Sequence, residues 1–173
     1  IMQNAIAASK PDSHYIFWCD ERYVWLFQTL YKELGIDSKR LLVWLKNNSS
    51  PTPSVAFNKA TEFAVYGTKG HAFLNQKVSN LTEIANKEVG IGNQSFEQIH
   101  DLLNVMTVKR LPSNQYNHPT QKCPSLHEKI LKRCTRPGDI VLDLTAGSGS
   151  ILSACHQLNR TSYLCEKEPV FCQ

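Results

Sequence analysis

The stretch from Ile140 to Glu166 constrains this chain more than any other part of its 173 residues. Ile140, Val141 and Leu142 form a continuous apolar run, as expected of a parallel strand buried on both faces. Asp143-Leu144-Thr145-Ala146-Gly147-Ser148-Gly149-Ser150 follows directly. Gly147 and Gly149 let the backbone turn sharply and approach a ligand, and Ser150 opens a predicted helix carrying Ile151, Leu152, Cys155 and Leu158. A second predicted strand, Tyr163-Leu164-Cys165, delivers Glu166 where a nucleotide fold places its ribose-binding acid. Gly-Ser-Gly alone also suits an ordinary strand–turn–helix corner. An acid at each of two adjacent strand ends makes it a candidate site.

The glycine pattern bears on the kind of ligand. A dinucleotide fingerprint wants a third glycine for close helix–strand packing, and Ile151 and Leu152 occupy that stretch. Asp143 would repel a pyrophosphate. It suits a ligand whose amino group and sulfonium are both positive, which favours S-adenosylmethionine over a nicotinamide dinucleotide.

Upstream lies His118-Pro119-Thr120-Gln121-Lys122. This motif, followed by Asp-x-x-x-Gly-Ser-Gly-Ser, resembles the DNA amino-methyltransferases in the permuted subclass whose cofactor loop follows the catalytic half. Looser matches extend over nearly the whole chain: Pro11-Asp12-Ser13 with Tyr15–Cys19, Trp44-Leu45-Lys46, and Glu62 to Gly67. The resemblance implies a three-layer α/β, Rossmann-like methyltransferase fold. It implies methyl transfer from S-adenosylmethionine to the exocyclic amine of adenine (N6) or cytosine (N4) in double-stranded DNA. A cytoplasmic protein of a bacterial or phage-infected cell is implied too, with a restriction endonuclease as a further candidate partner. By the same resemblance Thr120 and Gln121 hydrogen-bond the cofactor beside His118, and Lys122 meets its carboxylate. Asp143, Ala146, Gly147, Ser148, Gly149 and Ser150 surround its amino-acid end, and Glu166 takes the ribose hydroxyls. Lys46, Asn47, Asn48 and Phe57 are the DNA-side candidates. The alternatives are an RNA amino-methyltransferase and a non-catalytic cofactor- or DNA-binding remnant.

The chain departs from the family pattern in several places. Cys123 replaces the proline usual after the motif's lysine, Thr145 a common phenylalanine, and Ser150 a common threonine. The catalytic Asp/Asn-Pro-Pro-aromatic motif is absent from the 173 residues. Ile1 falls within a predicted helix and Gln173 within the first turn of another, so the sequence reads as a partial methyltransferase domain, cut at both ends. A missing strand between the Asp143 and Tyr15–Cys19 strands would leave the isolated chain inactive and poorly folded.

Composition is compatible with one sizeable core, at 42% hydrophobic residues. A net charge of +4 is mildly favourable to a polyanion and common without one. The 6 cysteines form no Cys-x-x-Cys pair, and Cys155 and Cys165 are predicted to be buried and reduced. His118, Cys123 and His127 lack a fourth ligand and a standard spacing for a metal.

The remaining pattern alternates helices and strands. A helix is predicted to about Ser9, and one capped by Asp20 with Tyr23, Leu26, Phe27, Leu30, Tyr31 and Leu34 on one face. Strands are predicted at Leu41–Leu45 and Phe63–Tyr66, with a loop from Asn47 to Pro53. Pro124 starts a helix presenting Leu126, Ile130, Leu131 and Cys134 to the core. The polar stretch 69–104 is a candidate target-recognition insert with Lys69, Lys77 and Lys87 toward phosphate, or a solvated insert packed on the sheet.

Overall fold

A computed structural model describes residues 2–50, 54, 56–76, 103–116, 118 and 121–172, without the side chains of 47–50 and 113. Lys77, Lys87 and most of the candidate insert lie outside the described residues, as does Thr120. The chain divides into two compact units: Pro11–Lys109, and Ile1–Lys10 with Arg110–Gln173.

The first unit is built on a four-stranded sheet in the order β1-β3-β2-β4, formed by β1 (Ser13–Cys19), β2 (Asp37–Ser50), β3 (Lys59–Lys69) and β4 (Val105–Thr107). β3 runs antiparallel to both β1 and β2, while β4 joins β2 in parallel. As an inner strand β3 is covered on both faces, so Ala64 to Thr68 are all buried. One face receives a helix, Val24–Glu33, numbered α2 after the short α1 at Met2–Ala8. Phe27 of α2 stacks on Phe17 with ring centroids 4.0 Å apart, and the buried Tyr31 hydroxyl donates to the Val65 carbonyl at 3.1 Å. Burial pushes the Tyr31 phenol well up from its ordinary value, so it remains a donor. The opposite face carries Trp44, 1% exposed, with Trp18 edge-on to it at 6.4 Å. Trp44 also donates from Nε1 to the Val108 carbonyl at 2.8 Å, which fixes the segment after β4.

Gly67 is a glycine because there is no room for anything else. A Cβ there would stand 2.7 Å from Ile36 Cγ2, 2.8 Å from Tyr31 Cδ2 and 2.9 Å from the Asp37 carbonyl oxygen. Gly67→Ala is therefore expected to cost about 1–3 kcal/mol through overpacking, read as a lowered midpoint in denaturant. An unchanged midpoint would show that α2 and β2 can shift freely.

Two expectations change in this unit. Tyr23 lies in a 3-10 turn, Glu21–Tyr23, ahead of α2 and is 49% exposed, outside the apolar face assigned to it. The cause is Asp20, whose Oδ1 accepts from the Arg22 amide at 3.2 Å and caps that tight turn first. The loop expected from Asn47 begins later, because β2 continues through Ser50 and pairs it with Lys59 beyond an irregularity in the register. Asn47 and Asn48 both lie in the strand, within that irregularity, between the Leu45–Thr61 and Ser50–Lys59 pairs.

The second unit pairs β5 (Ile140–Asp143) in parallel with β6 (Thr161–Leu164). Helices α3 (Pro124–Cys134) and α4 (Ser150–Gln157) supply its core, in which Leu131, Ala154 and Cys155 are buried against Val141, Ile151 and Leu158. Burial pushes the Cys134 thiol up to about 12, so it behaves as a small apolar group. The apolar run of β5 is covered on one face only: Ile140 and Leu142 stay exposed, as do Leu152, Tyr163 and Cys165. Helix packing reaches Val141 and not its neighbours, whose side chains point the other way. Among the described residues, β1 and β5 each hydrogen-bond along one edge. No described helix is long and apolar enough to cross a membrane.

Candidate functional site

The carboxyl end of β5 turns into the glycine loop through a side-chain latch. Asp143 Oδ1 accepts from the Thr145 amide at 2.9 Å, with the Thr145 hydroxyl 3.4 Å away. A threonine at this position thus binds the strand-end acid itself. The loop then tightens: the Ala146 amide donates to the Cys165 carbonyl at 3.0 Å and the Gly149 amide to the Ala146 carbonyl at 2.9 Å. Gly147 and Gly149 have φ of 56° and 69°, where a Cβ is strained, so both glycines are required by the backbone.

Glu166 reaches back from beyond β6 to hold this loop. Its Oε2 accepts from the Gly147 amide at 2.7 Å, and its Oε1 from the Glu168 amide at 2.9 Å. Those hydrogen bonds, Glu168 first and Gly147 second, hold the Glu166 carboxyl below its ordinary range. Its contribution to stability is present above the ordinary carboxylate pKa and lost as acid protonates the folded group.

His118 closes one side. A Cβ on Gly147 would come within 3.3 Å of His118 Nδ1, so the imidazole lies over the loop. Phe171 packs edge-on to His118 with centroids 4.3 Å apart. The Gln121 amide donates to the His118 carbonyl at 3.0 Å, making a turn that leads into α3. On the far side of the loop, His127 Nε2 lies 3.1 Å from Ser150 Oγ. Burial, with the positive charge of Lys122 second, pushes His127 down to about 4, so its ring is neutral at neutral pH.

These contacts bring His118, Asp143, Ala146, Gly147, Ser150 and Glu166 into one cluster around the loop. Ser148 Oγ is buried within it and has no hydrogen-bond partner among the described residues. A buried hydroxyl left unmatched is costly, and a polar ligand at the loop would relieve it. The two carboxylates of Asp143 and Glu166 on this loop fit a ligand with cationic groups and ribose hydroxyls better than a polyphosphate. Sequence reasoning missed Phe171 and the loop-holding part of His127. Phe171 signals itself only as an aromatic five residues after Glu166, and His127 only through its place one residue after the buried Leu126.

The DNA-side candidates belong to the other unit. Lys46 is ion-paired with Glu62 at 3.2 Å, and its Nζ stands 6.0 Å from the Trp44 ring centroid. Phe57, between β2 and β3, is fully exposed. Lys59 joins Asp20 at 3.0 Å and Glu21 at 2.8 Å, tying the start of β3 to the carboxyl end of β1.

Comparison with known proteins adds to this geometry. The Type II methyltransferase M.HpaI of Haemophilus parainfluenzae is 44% identical over 48 residues, which make up 28% of this chain and only 15% of that protein. The crystal structure of the M1.HpyAVI-SAM complex superposes with a TM-score of 0.73 at 27% identity, covering 94% of this chain and 72% of that one. The cytosine-N4-specific PvuII DNA methyltransferase gives 0.63 at 16% identity, covering 92% and 61%. TTHA0409 of Thermus thermophilus, described as a putative DNA modification methylase, gives 0.61 at 16% identity over 94% and 68%. The chain therefore has the mixed α/β fold of these methyltransferases. A family model described as DNA methylase matches residues 1–173, and the chain belongs to that N6/N4 methylase family.

Proposed function

We propose that this chain carries the cofactor loop and part of the DNA-handling surface of a site-specific DNA methyltransferase, acting on adenine N6 or cytosine N4. The observation that carries the reading is the latched loop: two acids from adjacent strand ends bracket Gly147 and Gly149, with an unmatched buried Ser148 hydroxyl between them. The cofactor is S-adenosylmethionine, which supplies an electrophilic methyl group on a sulfonium. Asp143 and the Ala146–Ser150 loop hold its amino-acid end, Glu166 reaches the ribose through its remaining lone pairs, and Gln121, Lys122 and Thr120 come from the upstream motif. His118 and Phe171 form an aromatic wall beside the loop, in a chain where Thr145 replaces the family's phenylalanine.

An exocyclic amine conjugated to an aromatic ring is a poor nucleophile, because its lone pair is delocalised. Catalysis is then positioning plus electrostatics: the amine must be held in line with the methyl group. The base must leave the duplex to reach that alignment and rest against an aromatic face. Phe57, fully exposed beyond the end of β2, suits such a contact. Asn47 and Asn48 accompany it on β2, and Lys46, already matched to Glu62, contributes by ordering that strand end. Stretch 69–104 serves as the target-recognition insert. The protein acts in the cytoplasm on double-stranded DNA, with a restriction endonuclease as its functional counterpart.

The Asn/Asp-Pro-Pro-aromatic motif that would accept hydrogen bonds from the target amine does not occur in residues 1–173. The test therefore uses the protein as its gene encodes it, with tritiated S-adenosylmethionine and duplex DNA. Labelling should concentrate at one short sequence, on the exocyclic nitrogen, while residues 1–173 alone transfer nothing. Labelling of transfer RNA with duplex DNA inert would replace this reading with an RNA methyltransferase.

A further inference from the structure

The junction between the glycine loop and α4 has no side-chain cap. Gly149 occupies the N-cap in a left-handed conformation, and no side chain accepts from the first turn there. Helices usually fix this junction with a Ser, Thr, Asp or Asn at that position. Ser150 comes one residue too late to act as the cap. Its hydroxyl is met instead from α3, where His127 Nε2 lies 3.1 Å from Ser150 Oγ.

The surroundings of His127 keep this contact in one protonation state. The ring lies in the first turn of α3, where the helix dipole disfavours a cation, and the residue is partly buried. A neutral imidazole offers one donor and one acceptor, so Nε2 meets Ser150 Oγ as donor or as acceptor according to the tautomer, and a single hydrogen bond joins them. Leu126, beside His127, is fully buried, which fixes the helix that carries the ring. The contact thus joins the helix that follows the His118–Lys122 motif to the helix that follows the glycine loop, within one compact unit.

We propose that His127 is a positioning residue of the cofactor loop, holding Ser150 by hydrogen bond in place of a helix cap. It sets the orientation of the loop-to-α4 junction against the bound cofactor. The inference rests on the loop being the S-adenosylmethionine site. It assigns His127 no contact with the cofactor and no proton transfer.

The test is a double-mutant cycle in the gene-encoded protein: His127→Leu, Ser150→Ala and their combination, each titrated calorimetrically with S-adenosylmethionine. His127→Gln, which keeps a side-chain hydrogen-bonding group, serves as the rescue variant, and a thermal melt of each protein checks folding. His127→Leu should weaken cofactor binding about fivefold, as expected for one hydrogen bond. His127→Gln should recover most of the loss, and His127→Leu should cost nothing further in the Ser150→Ala background. Additive losses, or full affinity in His127→Leu, would overturn the proposal. If His127→Leu fails to fold, Ser150→Ala still decides, through the ring-nitrogen chemical shifts of His127 compared with the wild type. Those shifts should move on Ser150→Ala with no cofactor present; unmoved, they sink the hydrogen bond itself. Shifts that move on Ser150→Ala, together with a wild-type protein that binds no S-adenosylmethionine, would remove the cofactor reading, and the positioning assignment with it.

Discussion

Trp44→Ala should destabilise the Pro11–Lys109 unit by about 3–5 kcal/mol, the usual cost of deleting a large aromatic from a packed interior. Three losses coincide at this one position. The indole is 1% exposed, so its removal leaves a cavity beside Trp18. The Val108 carbonyl loses its donor from Nε1. Lys46 loses the surface over which its aliphatic stem and ammonium lie. Urea denaturation followed by far-UV circular dichroism measures the change. Trp25→Ala is the control, because Trp25 is 65% exposed and its loss should fall within about 0.5 kcal/mol. Equal effects from the two substitutions would show that the Trp44 face is not a core.

Asp143→Ala should weaken S-adenosylmethionine binding by about 10- to 100-fold, the range for losing a charge-assisted hydrogen bond. Two effects combine. The Thr145 amide loses its acceptor, so the latch between β5 and the glycine loop opens. The negative charge proposed to face the cationic end of the cofactor also disappears. Asp143→Asn separates them, since its amide oxygen still accepts from Thr145 while the charge is gone. An intermediate loss in Asp143→Asn fits both contributions; full affinity would assign everything to the latch. Calorimetry reads the affinities, and wild-type affinity in Asp143→Ala would take Asp143 out of the site.

What the sequence disclosed follows the range of its signals. Local chemistry was legible: Pro124 starts α3, Asp20 caps a turn, and Gly147 and Gly149 adopt the left-handed backbone their residue type permits. Strand positions were legible from apolar runs, but their lengths were not. β2 and β3 extend past their apolar centres because an antiparallel ladder gains backbone pairing even between polar residues, as at Asp37–Thr68 and Ser50–Lys59. Burial was misjudged in β5 for a related reason. An apolar run states what a strand tolerates, whereas its partners decide what is covered, and Ile140 and Leu142 have none on their face within the described residues. In the candidate site, the motif residues could be singled out by their spacing, while the contacts that brace them could not. His127 and Phe171 act through contacts made by residues distant in sequence, which no spacing rule records.

The two sides of β2 differ in the chain separation they bridge, and this bears on the order in which the sheet assembles. β2 and β3 pair across a short connection, from Leu45 opposite Thr61 outward to Asp37 opposite Thr68. That hairpin closes early, because little chain entropy is lost before its contacts form. β4 pairs Val43 with Val105, so the whole intervening stretch must already be folded back before one hydrogen bond of that edge is gained. β4 is also only three residues long. Its docking is therefore expected to be a late event, secured by the Trp44 indole on the Val108 carbonyl and by Asn104 against Leu41 and Val43. A long segment between β3 and β4 changes the speed of that step more than the final stability, since closure entropy rises only slowly with loop length. Substantial variation in that segment can thus occur without disturbing the three-stranded framework that forms before it.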